Sequence, residues 1–316
     1  MMGGFTMRCY PDYYKNFKCI ADKCQHNCCI GWEIDIDEDT LDFYKKHDGV
    51  LKDRFKTCIE YDSTPHFKLG ENERCPFLNS NNLCDIITHL GEEHICDICS
   101  EHPRFHNELP DRIESGLGLC CEEACRLILT KKDKTTLLYD NYSDTDDEII
   151  ILRDKVINAL QNRERTLTDR IDDMLELCDT TYTKRTLGEY SDILLSLEIL
   201  DENWQKALFN LENANLSNED LKTFFDYIKT NDREHEFEQL CVYFIYRHFA
   251  NAPDMISAQE RARFTAFVFD FFRNLGAFTL KHANSYHTSL HLDFARMFSS
   301  EIEYSDENIY TLYDIL

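Results

Sequence analysis

Thirteen of the 15 cysteines in this 316-residue chain fall within its first 125 residues. They are Cys9, Cys19, Cys24, Cys28, Cys29, Cys58, Cys75, Cys84, Cys96, Cys99, Cys120, Cys121 and Cys125. A buried structural cysteine behaves as a small hydrophobe and has no reason to cluster. Thiols gathered this densely act together, as ligands of a metal or iron–sulfur group or as disulfides. The N-terminal run Met1-Met2-Gly3-Gly4-Phe5-Thr6-Met7-Arg8 has no apolar signal-peptide core. No segment reaches the roughly 18 apolar residues of a membrane span. The most apolar stretch, Phe264 to Phe278, is interrupted by Asp270 and Arg273. The expected compartment is therefore the cytoplasm, where thiols stay reduced and metal or cluster ligation outweighs disulfide formation.

The net charge of −25 argues against a nucleic-acid partner, because phosphate backbones are met by basic faces. An acidic surface of this kind keeps a protein soluble and could also attract a lysine-bearing protein. Composition shifts near residue 130. Most of the cysteines and five of the six prolines lie before it, and only Gly188, Gly276 and Pro253 lie beyond. The expected class is mainly α: a loop-rich cysteine metallodomain over residues 1–130, then an all-α helical domain over residues 148–316. The polar stretch Lys131 to Asp147 reads as a linker.

Apolar spacing in the second part predicts helices over Ile149–Asn162, Leu167–Cys178, Leu187–Leu200, Trp204–Leu211, Leu221–Lys229 and Phe237–Phe249. Ser257-Ala258-Gln259-Glu260 reads as a capping box that opens a long helix to about Leu280. Tyr286–Phe298 and Asn308–Leu316 complete the set. The phenylalanines of the long helix are expected to be core. In the first part, the alternation in Trp32-Glu33-Ile34-Asp35-Ile36 suggests a short strand. A helix is expected from Asp39 or Thr40 through Leu51, and another over Leu117–Thr130 with Cys121 and Cys125 one turn apart.

As ligand spacing, the cysteines form three groups: Cys19-x4-Cys24-x3-Cys28-Cys29, then Cys75-Pro-Phe-Leu-x5-Cys84, then Cys96-x2-Cys99 with the later Cys120-Cys121. Four thiolates hold one zinc or one [4Fe–4S] cluster, so nine or more exceed a single site of either type. Soft thiolates suit both metals, so spacing leaves iron and zinc open. The Cys-x3-Cys-x2-Cys spacing of radical S-adenosylmethionine enzymes is absent.

Several stretches together resemble the flagellin lysine-N-methylase family. They are Phe17-Lys18-Cys19-Ile20-x3-Cys24-x3-Cys28-Cys29-x-Gly31-Trp32-x-Ile34-x-Ile36-Asp37, Cys75-Pro76-Phe77-Leu78 with Leu83-Cys84, and Gly91-x3-His94-Ile95-Cys96-x2-Cys99-x3-Pro103-Arg104. A near match is Leu119-Cys120-Cys121-Glu122-Glu123-Ala124-Cys125-Arg126, where the family has one cysteine followed by proline. That cysteine falls on Cys121; Glu122 replaces the proline, and Cys120 and Cys125 look like local additions. The tail Glu301-Ile302-Glu303-Tyr304-Ser305-Asp306-Glu307-Asn308 is also similar to the family's C-terminal end. The cysteine pattern alone is shared with a wider group of zinc- or iron-chelating proteins.

The resemblance implies methyl transfer from S-adenosylmethionine to lysine side chains of flagellin. It implies Cys19, Cys24, Cys28, Cys29, Cys75, Cys84, Cys96, Cys99 and Cys121 as the shared metal positions. An iron–sulfur cluster, [4Fe–4S] in type, or zinc would be held there. No Gly-x-Gly-x-x-Gly loop or βαβ alternation is present, so a Rossmann-type donor site is not expected. The donor would be met by the cluster or by the helical domain. Arg104 and His102, beside the third thiol group, are the cofactor-binding candidates; Arg104 could offset thiolate charge or simply pair with a carboxylate. A lysine amine needs only alignment and removal of a proton. The proton-acceptor candidates are Glu301, Glu303 and Tyr304 in the tail, followed by His94, His102 and His106. The ordinary reading of each is a solvated carboxylate or a histidine flanking the thiols, and Asn308 reads as a cap or surface amide. Two rival functions remain: a non-enzymatic metal-binding or redox-sensing protein, and an interaction module whose metal is purely structural.

Overall fold

The structure is a computed structural model that describes residues 7–62, 64–211 and 214–316. It is mainly α, with fourteen α-helices among the described residues. The contacts divide the chain into two compact units. One comprises residues 18–105 with 121–123; the other holds the described residues up to 17, then 106–120 and 124–316.

The second unit is built on helices and one small sheet. All described strands lie before residue 141, and every regular element from Glu148 onward is helical. The strand Met7–Pro11 is central. It runs parallel to Arg112–Leu117, with Met7 opposite Arg112 and Cys9 opposite Glu114. It runs antiparallel to Leu137–Asp140, with Arg8 opposite Asp140. Arg104–Glu108 completes the four-stranded sheet on the far side of Arg112–Leu117. The expected linker is thus partly a sheet strand. Its Thr-Thr-Leu-Leu-Tyr segment is β-favouring, and the neighbouring strand supplies the partner that a sequence read alone does not show.

Two helices form the centre. Glu234–His248 is buried from Glu236 to Tyr246. Met255–Ala283 buries Phe264, Phe267, Phe269, Phe271 and Phe272. Its cap is Asp254, whose carboxylate accepts the Ser257 N–H, so the helix begins before the expected Ser257 box. Gly276 permits close helix packing, since a Cβ there would enter the Phe224 ring. The interruptions in this apolar helix are paired: Asp270 contacts Arg273 and accepts from Tyr190 Oη at 2.5 Å. Elsewhere in this unit Glu114 and Arg153 form a fully buried pair at 2.5 Å. Glu238 meets Arg170 at 2.7 Å and Arg163 at 2.8 Å.

The cysteine unit has a separate apolar core of Ile34, Ile36, Leu41, Tyr44, Leu51, Phe55, Ile59, Phe67, Phe77 and Ile86, to which Cys75 and Cys96 belong. Tyr44 stacks on Phe55 at 4.0 Å, and Phe77 packs against Phe55 at 5.1 Å and Phe67 at 4.9 Å. Its helices are short. Glu38–Lys46 is capped by Asp37 and ends before Leu51; a second helix follows at Lys52–Thr57. The Trp32–Ile36 segment alternates in burial, yet it makes only a single bridge, Asp35 to His66, and is not a strand. Two backbone bonds, Phe67 N–H to Ile34 O and Ile36 N–H to Pro65 O, hold it extended. The helix expected over Leu117–Thr130 is Glu122–Leu129, because Leu117 ends a strand and Gly118–Cys121 turns.

Candidate metal centre and the tail network

Three chain segments bring six thiols together in the cysteine unit. Cys75 N–H donates to Cys29 O at 2.8 Å, and Gly31 N–H donates to Glu73 O, so the first and second groups lie side by side. Cys84 is the N-cap residue of the helix Asp85–Leu90, and Cys96 that of Asp97–Glu101, whose first turn carries Cys99. Cys28 and Cys29 hydrogen-bond through their sulfurs, and so do Cys96 and Cys99. Cys29 lies within electrostatic reach of Cys75, Cys84 and Cys99; Cys96 is felt by Cys75 and Cys84. The amides of Phe77 and Leu78 point at the Cys75 sulfur, and those of Ile86 and Ile87 at Cys84. Backbone N–H groups aimed at sulfur favour the thiolate form that ligates metal.

Burial pushes the Cys75 thiol up to about 11 and raises that of Cys84. The bond to Cys96 and then burial raise Cys99. The Cys29 S–H lowers Cys28, while Cys29 itself is raised by that bond and by burial. Cys29, Cys75, Cys84 and Cys99 therefore favour the protonated thiol, and a bound metal would have to displace those protons.

The other predicted metal positions fall elsewhere. Cys24 lies near Cys121, and its thiol is pushed up to about 12 by burial and by Glu122. Glu122 accepts the Gln25 N–H at 2.8 Å and the His26 N–H at 3.2 Å, with the Cys24 sulfur 3.6 Å away. The residue that departs from the family's proline therefore pins the Cys24 turn. Cys19 is exposed, and its sulfur accepts from the Ala21 N–H at 3.4 Å. Cys9, Cys125, Cys178 and Cys241 are buried in the helical unit as small hydrophobes.

Around the six thiols, Trp32 Nε1 donates to Cys28 O at 2.5 Å, and its ring lies 6.3 Å from His102. Burial lowers the His102 imidazole pKa and so favours the neutral ring. Arg104 Nη1 donates to Ser100 O at 3.1 Å in the Cys99 helix. Three supporting residues were missed in sequence. Tyr44 donates to His94 O at 2.8 Å with its hydroxyl 3.8 Å from the Cys96 sulfur. Arg54 donates to Pro76 O and to Asp85, both at 2.5 Å, tying the Cys75 and Cys84 segments together. Asp37 accepts from Thr40 N–H at 2.8 Å and from Asp97 N–H at 2.9 Å, joining the Ile36-Asp37 motif to the Cys96 helix. Only Asp37, an acid directly before a helical pattern, carried a readable signal. His94 stacks on Phe43 at 4.3 Å.

In the helical unit the tail forms a second network. One π-type turn, Ser299–Glu303, sends its two glutamates to different neighbours. Glu301 is buried and accepts the Leu200 N–H at 2.9 Å; burial pushes its carboxyl up to about 7. Asn308 is also buried and donates to Glu198 O and Glu301 O, each at 2.8 Å. Glu303 accepts from Tyr243 Oη at 2.9 Å, Arg247 Nε at 3.1 Å and His248 Nε2 at 2.6 Å. Although burial opposes it, Arg247 and His248 hold the Glu303 carboxyl below its ordinary range. Tyr304 is half-exposed, covers Arg247 with its ring at 5.2 Å, and places its hydroxyl by Cys120. Gly118 makes room for this arrangement: a Cβ there would lie 2.5 Å from Tyr304 Oη and 3.1 Å from Arg247 Nη1. The structure thus joins Glu303 and Tyr304 to the Gly118–Cys120 turn and leaves Glu301 outside the network. His106 Nδ1 lies 2.7 Å from Ser115 Oγ, apart from the tail.

The fold and thiol array define a mainly helical protein carrying a cysteine-rich candidate metal centre. Over 134 residues, 40% of the chain, it is 27% identical to a flagellar biosynthetic protein, FliU, of Salmonella muenchen, covering 79% of that protein. It is equally similar, over the same length, to two proteins named Lysine-N-methylase, from Salmonella choleraesuis and Salmonella typhimurium, and covers 33% of each. The match therefore spans about a third of the two methylases. The resemblance read from the motifs is supported by these relatives. No family model matches, and no solved structure matches.

Proposed function

We propose that this chain is a cytoplasmic protein-lysine N-methyltransferase that moves methyl groups from S-adenosylmethionine to flagellin lysines and carries a cysteine-held iron–sulfur or zinc centre. The similarity to proteins named Lysine-N-methylase carries the reaction class. The donor set supports the centre: six soft thiols meet in one unit, with backbone amides directed at two of them. Soft thiolates serve either an iron–sulfur cluster or zinc.

Cys28, Cys29, Cys75, Cys84, Cys96 and Cys99 would hold the centre, with Cys24 and Cys121 beside Glu122 as a further pair. When bound, the centre supplies a Lewis-acidic anchor able to take the donor's amino and carboxylate groups. The amine must lose a proton before its nitrogen attacks the methyl carbon; the N–C bond then forms as the donor's C–S bond breaks. Of the tail residues, the half-exposed Tyr304 would meet a substrate. Glu303 acts through Arg247, which it neutralises and holds beneath the Tyr304 ring. Glu301 is a positioning residue that fixes the turn to Leu200.

The test is anaerobic purification with iron, zinc and sulfide analysis, followed by mass spectrometry of flagellin from cells with and without the gene. Iron with stoichiometric sulfide, and lysine methylation lost in Cys99→Ala and reduced in Tyr304→Phe, would support the reading. Metal without methyl transfer would leave a metal-binding protein, the rival function.

A further inference from the structure

A second group of metal-type ligands lies away from the thiols, on the opposite face of the hairpin that walls the cysteine core. The short strands Ile59–Glu60 and His66–Phe67 are antiparallel, with Glu60 opposite His66. Asp35 bridges to His66 from the other side. Side chains alternate across such a patch. Ile34, Ile36, Ile59 and Phe67 therefore enter the core, while Glu33, Glu60 and His66 share the other face.

His66 is only 4% exposed, yet it stands among carboxylates. Its Nδ1 lies 2.8 Å from Thr64 O; a carbonyl only accepts, so Nδ1 carries the proton there. The ring's other nitrogen, Nε2, faces Glu60 Oε2 at 3.6 Å and Glu33 Oε1 at 4.0 Å, beyond hydrogen-bond length from either. The ligand atoms of Glu60, Asp62 and His66 all lie within 4.8 Å of one another, the one trio among the described residues that does so. Lys68 at 2.9 Å occupies Glu60 Oε1 and leaves Oε2 toward the histidine. A histidine whose Nδ1–H is anchored to a carbonyl presents Nε2 in the manner of metal-ligating imidazoles.

We propose that Glu60, Asp62 and His66 bind a divalent cation, with water completing its shell. The oxygen and imidazole donors select a harder ion than the thiols do, of the manganese or zinc kind. Such an ion would cross-link the two strands behind Phe67 and Ile59, and so brace the wall of the cysteine core.

Mn2+ is the probe, because it is poorly held by thiolates and its free form is read directly by electron paramagnetic resonance. Titration of the full chain should show one Mn2+ taken up per molecule. Asp62→Asn and His66→Gln should each weaken uptake roughly tenfold or more, with Glu33→Gln much less affected. Asp62 is exposed and outside the core, so Asp62→Asn tests the site even where His66→Gln lowers stability; circular dichroism checks each fold. Wild-type protein that leaves Mn2+ free, or variants that bind it as well as wild type, would overturn the proposal.

Discussion

The two units are stabilised by different means. The helical unit buries long apolar faces, so even its charged groups are taken inside and paired, as Glu114–Arg153 and Glu238–Arg170 are. The cysteine unit has helices of nine residues or fewer, and its core ends in thiols. Helices this short are marginal by themselves. They stand because caps, aromatic stacking and sulfur contacts converge on them. Each unit carries one of the chain's two tryptophans, Trp32 among the thiols and Trp204 in the helical core, so the units can be followed separately by fluorescence.

The largest effect is expected in the helical unit. Arg153→Ala leaves Glu114 charged and buried without a partner, which costs about 3–5 kcal/mol. Denaturant titration of a Trp32→Phe background, which reports Trp204, should show that loss. In the cysteine unit Phe77→Ala removes the ring shared by Phe55, Phe67 and Arg54, a loss of roughly 3–4 kcal/mol. Fluorescence of Trp32, in a Trp204→Phe background, should shift at lower denaturant while the helical signal moves less. Equal movement of both signals would mean that the units unfold as one.

Smaller changes sharpen the contrast. Asp37→Ala removes a cap and the bond to Asp97, about 1 kcal/mol, and should destabilise the Trp32 signal selectively. Glu301 gives the pH test. Its folded pKa of about 7 lies above its ordinary 4.5, so the folded state prefers the protonated acid. Stability from this group is full below pH 4.5 and lost as pH rises through 7. Glu301→Gln should therefore leave stability at pH 5 nearly unchanged and raise stability, and with it the melting temperature, at pH 8. A rise at pH 5 as large as that at pH 8 would contradict this assignment.

Much of the helical unit was legible because its apolar residues recur at helical spacing along each segment. Phe237 to Phe249 read as a helix, and Glu234–His248 is one. Legibility failed where a distant partner decides the outcome. Leu137–Asp140 is a strand only because Met7–Pro11 lies beside it. Trp32–Ile36 alternates like a strand, but its neighbours pair with it at isolated points. At the candidate centre, the motifs singled out the thiols, but not the six that converge or the distinct placing of Cys19. Tyr44 and Arg54 were unreadable because their partners, Cys96 and Pro76, lie far along the chain.

By itself, the sequence determined that the chain is mainly helical, that its thiols cluster in the first part, and that it resembles lysine-N-methylases. Those properties depend on local periodicity, composition and short motifs. Only the tertiary structure decided which thiols meet, that Glu303 is held by Arg247 and His248 while Tyr304 stays half-exposed, and that His66 faces Glu60 and Asp62. Each of these is a contact between residues far apart in the chain, or across a turn. Burial and the low dielectric around it set their chemistry only once the chain has closed.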